Sequence, residues 1–148
     1  SVFTVDSIAL PKLQKANMNG VMGSVMTQFW APDLDTPQNK KFVSGFKKKY
    51  GRYPSFYAAQ SYDTIFLIKS AVEAVKGDLS NKDGMRAAME KANFPSVRGK
   101  FSYGNNHFPI QNFYSREVVK DSDGVWTTSV REVVLKNHQD TYAKDCSM

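Results

Sequence analysis

Between Tyr57 and Val75 a helical pattern carries apolar residues on almost every side: Ala58, Ala59, Tyr62, Ile65, Phe66, Leu67, Ile68, Ala71, Val72 and Val75. A surface helix needs one apolar stripe, and a helix apolar all round packs on more than one side. Such a helix belongs between layers, and here the layer it calls for is a sheet. Strand signals lie towards both ends of the chain and helical signals between them, so the fold class is α/β. One short run near the start, Val21 to Thr27, reads as a buried strand of the parallel type, and no run like it follows until after Pro95. Much of the sheet that the apolar helix requires is therefore expected to come from outside this chain.

The other elements follow from local signals. Residues 8–17 read as a short helix, with Pro11 near its start and Ser7 or Asp6 as cap. Phe29-Trp30-Ala31-Pro32 reads as a crossing segment. Thr36 and Pro37 open a helix on which Phe42, Phe46 and Tyr50 share one face, and Gly51 ends it. Pro54 precedes the long apolar helix, which Gly77 closes. Ser80-Asn81-Lys82-Asp83 starts a third helix, with Met85, Ala88, Met89 and Ala92 inward. Val97 to Tyr103 reads as a strand, and Asn105-Asn106 and Pro109 as a turn. Gln111–Lys120 and Val125–Leu135 are two β runs joined by a hairpin loop, Asp121-Ser122-Asp123-Gly124.

Composition removes several functions. The chain has 148 residues, 41% hydrophobic and 23% charged, which is one globular domain by length and content. Its formal charge is +6, but Lys40, Lys41, Lys47, Lys48 and Lys49 flank or interrupt one helical pattern and the other lysines are scattered. No basic stripe with interleaved aromatics forms, so a solvated face is expected and no nucleic-acid partner. The single cysteine, Cys146, leaves no disulfide within the chain and no zinc spacing. His107 and His138 stand among polar residues and read as surface groups. No nucleophile elbow, phosphate loop or dinucleotide fingerprint is present, and Asp33 and Asp35 are explained by loop and capping roles. No catalytic residue, no metal site and no cofactor are expected. The aromatics say more. Phe3, Phe29, Trp30 and Tyr57 fall at the mouths of elements, the level at which open α/β sheets bind ligands. Packing between elements is the other reading of each.

Phe42-x3-Phe46-x3-Tyr50-Gly51, followed by Pro54-x2-Tyr57-Ala58-x3-Tyr62-Asp63, resembles the leucine/isoleucine/valine-binding family of type I periplasmic receptors. The block Trp30-Ala31-Pro32-Asp33-Leu34-Asp35-Thr36-Pro37 before it belongs to the same likeness. So do Phe94 to Phe101, His107 to Val118, and the ending around Tyr142, Cys146 and Met148. The block from His107 is most similar to the branch that takes aromatic or related small organic acids. The resemblance implies two Rossmann-like α/β lobes joined by a hinge, with ligand in the cleft, and it implies that this chain supplies only the C-terminal portion. Residues 1–28 would belong to the C-terminal lobe, 29–114 to the N-terminal lobe, and 115–148 would return.

The resemblance also implies the partners: a small-molecule ligand, the membrane permease of an ABC transporter, and the N-terminal half of the same protein. The place would be the periplasm, or the outer face of the cell on a membrane tether. Asp6 falls where amino-acid receptors of this family hold an acid for the ligand's ammonium. It is equally a candidate helix cap. Tyr57 falls where an aromatic ring lines the ligand. Phe3 and Thr4 share the loop of Asp6, Gln60 is one turn from Tyr57, and Trp30 is at the hinge crossing. An aromatic acid is the expected solute. A branched-chain or other amino acid in the same fold, a sensory ligand-binding domain, and an α/β enzyme with its catalytic half elsewhere are the alternatives.

Overall fold

A computed structural model describes residues 6–147 and builds them around one long strand. Phe3 and Thr4 lie outside the described residues. In chain order the elements are α1 (Leu10–Lys15), β1 (Val25–Gln28), α2 (Pro37–Tyr50), α3 (Phe56–Ala74), α4 (Lys82–Lys91), β2 (Ser102–Tyr103), β3 (Pro109–Lys120) and β4 (Trp126–His138). β3 pairs with β1 through residues 114–117, with β2 through 109–110, and with β4 along most of its length.

Every pairing among the described residues is antiparallel, which corrects the parallel reading of the first strand. Its first residue, Val21, ends a 3-10 turn, the strand begins only at Val25, and in β1 only Met26 is buried while Val25 and Thr27 are exposed. A run this short looks continuous in sequence although its residues alternate in space. The strand expected over 97–103 shrinks to two residues. Gly99 turns the chain at φ 84°, and Asp63 captures the N–H of Val97 at 2.9 Å before a ladder can. The first helix is also shorter than expected. Its N-cap is Ala9, with no side-chain bond, and the backbone carbonyl of Asp6 accepts from Ala9 and Leu10 instead.

The helix signals at 36–51 are met. Thr36 Oγ1 accepts from the N–H of Asn39, and Gly51 closes α2 at φ 65°. α3 is capped by Ser55, whose Oγ accepts from Ala58, and α4 by Asn81, whose side chain accepts from Gly84. α3 buries Ala59, Asp63 and Ala71, whereas Ile65 and Ile68 are exposed. Its second apolar side thus has no cover among the described residues.

Packing falls into two clusters. One gathers Trp30, Ala31, Leu34, Phe42, Val43, Ala59, Val97 and Tyr114. The other gathers Leu10, Met26, Val118 and Trp126. β3 runs from one to the other, and between Ser115 and Arg116 its pairing with β4 slips by one residue. Such a bulge bends a ladder and frees a backbone group. Asp33 meets that group: its carboxylate accepts from Val130 N at 3.1 Å and from Ser129 Oγ at 2.6 Å, tying the crossing segment to β4. A second tie lies further out, where Tyr53 donates to Asp121 Oδ2 at 2.8 Å, at the start of the β3–β4 loop.

Candidate functional site

The turn before α1 and the start of α3 meet where the two clusters adjoin. Ser7 Oγ donates to the carbonyl of Pro54, and Pro54 leads into the cap of α3. Asp6 and Ser7 are both buried there. Ser7 Oγ also stands 3.3 Å from Asp6 Oδ1. A hydroxyl has one hydrogen and a carbonyl only accepts, so that hydrogen goes to Pro54. The other carboxylate oxygen, Asp6 Oδ2, is buried with no hydrogen-bond partner among the described residues. A carboxylate in that condition calls for a cation or donor.

Tyr57 is in the first turn of α3 and is 59% exposed. Its ring lies 4.0 Å from that of Phe56, which meets Phe29 edge-on at 6.0 Å. A short aromatic row therefore runs from the crossing segment to the helix start. Gln60 is exposed, three residues along the same helix. Trp30 is elsewhere: it has no exposed surface, and its indole N–H donates to Asn39 Oδ1 at 2.7 Å. Asn39 in turn donates to the carbonyls of Pro32 and Leu34, so Trp30 is packed under the crossing rather than open to a solute. Asp6, Tyr57 and Gln60 have the exposure or the open valence that a contact needs, and Trp30 has neither.

One residue at this junction was not singled out from sequence. Arg116, on β3, is wholly buried. Its Nη1 donates to the Trp30 carbonyl at 3.3 Å and to Thr128 Oγ1 at 3.4 Å, while Nε and Nη2 are buried without a partner among the described residues. Burial pulls the guanidinium below its ordinary pKa, against the charges of Asp6 and Asp33, which pull it up. The available signal was register: Arg116 alternates with Tyr114 and Val118, both buried, so its side chain had to point inward. A groove of about 470 Å³ is lined by Pro32, Val43, Lys47, Tyr53, Asp121 and Thr127, among others.

The model of a family described as periplasmic binding protein matches residues 2–124. The chain belongs to this family. Among its relatives is a Leu/Ile/Val-binding protein homolog of Brucella abortus (strain 2308), 34% identical over 110 residues, which are 71% of this chain and 27% of that protein. A solute-binding protein of an ABC transporter from R. palustris, solved in complex with benzoate, superposes at TM-score 0.79 with 29% identity. That match covers 97% of this periplasmic binding protein chain and 37% of the solved one. A second, from Rhodopseudomonas palustris HaA2 in complex with p-hydroxybenzoic acid, gives 0.74 and 29%, over 93% and 36%. A leucine-binding protein from Thermotoga maritima gives 0.64 and 25%, over 83% and 34%. The chain thus spans about a quarter of the length of the curated relative and just over a third of these solved structures. Its architecture is that of the type I periplasmic binding proteins, of which it forms a part.

Proposed function

We propose that the protein carrying this chain is the substrate-binding component of an ABC transporter, and that it captures a small aromatic acid in a cleft between two lobes. The observation that carries this reading is the junction itself. A buried carboxylate with an open valence, Asp6, is tied through Ser7 and Pro54 to the exposed ring of Tyr57, where two separate packing clusters adjoin. The clusters support the lobe assignment: the buried members of one fall within residues 29–114, and those of the other within 1–28 and 115–148. Tyr57 would stack on the solute, with Phe3 and Thr4 beside Asp6, Gln60 at the edge, and Trp30 as packing beneath. The solute leaves unchanged, and a membrane permease receives it on the periplasmic side. Two of the similar solved structures hold benzoate and p-hydroxybenzoic acid, which supports an aromatic acid.

A branched-chain amino acid is the second reading, favoured by the Leu/Ile/Val-binding protein homologs among the relatives. Calorimetric titration of the full-length protein with p-hydroxybenzoic acid and with L-leucine separates the two. Saturable binding of the acid alone supports the first reading, of leucine alone the second, and of neither contradicts both.

A further inference from the structure

Gln28 of β1 pairs with Tyr114 of β3, and these are the two residues after which the chain passes from one lobe assignment to the other. Both crossings thus sit side by side in one ladder, and that pair is the pivot. From it β3 runs on to Lys120, and Asp121 follows, about 23 Å away at the rise of an extended strand. Opposite stands Tyr53, in the turn between α2 and α3. Its hydroxyl donates to Asp121 Oδ2 at 2.8 Å. Lys47 of α2 completes the group, with Nζ 3.7 Å from the same oxygen and 4.1 Å from the centre of the Tyr53 ring. The next residue, Pro54, accepts from Ser7, so two successive residues of one turn grip the other lobe at two separate points. We propose that Tyr53, Lys47 and Asp121 form a clasp that holds the two lobes closed and sets how fast the solute leaves. This rests on the solute-receptor reading above.

The groove of about 470 Å³ is lined by Val43 and Lys47 of α2 and by Val119 and Thr127 of the hairpin, so space rather than packing separates these elements there. Polar bonds then set the distance across it. A tilt of β3 by about 10° at the pivot carries Asp121 roughly 4 Å, beyond the reach of a hydrogen bond. The clasp is therefore made near the present lobe angle and lost on opening. The same turn leads into Ser55, the cap of α3, and on to Tyr57, while Ser7 adjoins Asp6. The clasp accordingly closes the side on which the proposed contacts lie. Burial, with the bond to Asp121, pushes the Tyr53 hydroxyl above its ordinary pKa, so it keeps its proton and donates. A bond to a carboxylate is stronger than one between neutral groups. Contacts made only in the closed state shift the balance of open and closed forms by their own free energy, without touching the solute. A solute between closed lobes leaves only after they part, so the effect falls on its departure.

Tyr53→Phe removes the hydroxyl and keeps the ring. Association and dissociation rates of the full-length protein are measured by stopped flow with 4-hydroxybenzoate and with L-leucine, and compared for whichever binds the wild type. Dissociation should be about tenfold faster in Tyr53→Phe, with association changed by less than about threefold. Lys47→Met should speed dissociation by about threefold, and this variant decides the matter if Tyr53→Phe does not fold. A rise of less than about threefold in Tyr53→Phe, or slower association that accounts for the whole loss of affinity, overturns the clasp and leaves the receptor reading standing. So does a lowered melting temperature with both rates unchanged, which is the mark of a mere loop anchor. Binding of neither solute by the wild type removes the receptor reading, and the clasp with it.

Discussion

Tyr57 is large, exposed, and placed in the first turn of α3, with the ring of Phe56 at 4.0 Å and the small Ala58 and Ala59 next to it in the chain. Within this chain it makes little contribution to the core, so its truncation separates binding from stability. Tyr57→Ala should lower solute affinity by at least about tenfold, since ring stacking adds to area burial. The melting temperature should hold within about 2 °C, as for other exposed substitutions. A lowered melting temperature with intact affinity would make Tyr57 a packing residue instead. Asp6→Asn removes a charge-assisted bond if the solute has an ammonium, and affinity for L-leucine then falls strongly. With an amine-free aromatic acid the change should matter little or improve binding, as calorimetry of both proteins would record.

At the scale of elements, α3 is held by its one buried charge. Asp63 accepts from Ser96 Oγ at 2.6 Å, Val97 N at 2.9 Å and Arg98 Nε at 2.9 Å, and Arg98 reaches on to Gln111 Oε1 on β3. Breaking a buried pair on one side leaves the other charge uncompensated, so Asp63→Ala should destabilise by about 3–5 kcal/mol, read by denaturant unfolding. The hairpin loop has its own anchor. Burial acts to raise the pKa of Asp121, but bonds from the Tyr53 hydroxyl and from the N–H groups of Val125 and Asp123 outweigh it, and the carboxyl lies below its ordinary value. A depressed folded pKa gives stability that is present above the unfolded value and is lost as pH falls through the folded one. Asp121→Asn should therefore cost about 1 kcal/mol at neutral pH, and the gap to wild type should narrow below about pH 4. A gap constant down to pH 2 would show that the charge is irrelevant.

These elements also show what the sequence could reveal. Capping at Thr36 and termination at Gly51 are local, set by residues within a turn, and α2 was legible to the residue. The hairpin loop at 121–124 was equally clear. The strand over 97–103 was not, because its backbone is claimed by Asp63, more than thirty residues away. At the site, Tyr57 and Asp6 came from a resemblance and an exposed aromatic position. Arg116 did not, because an inward arginine in a β run stands out only once its burial and its unpaired donors among the described residues are seen.

At the scale of the whole molecule, the exposed Ile65 and Ile68 of α3 and the exposed Val133, Val134 and Leu135 of β4 agree with a chain that spans about a third of the solved proteins it matches. The apolar helix foretold that deficit, since it called for more sheet than the chain supplies. The lobe boundaries proposed at 28/29 and 114/115 came from the family resemblance, not from helical or strand periodicity. What holds the crossings together, Asp33 on the β4 bulge and Arg116 under Trp30, depends on register and was invisible before the fold. The most direct test of the account is titration of the full-length protein with p-hydroxybenzoic acid, followed by mass analysis of the recovered solute. One-to-one saturable binding with the solute recovered unaltered is the predicted result. Steady conversion of the solute, or failure to bind it, would contradict the account.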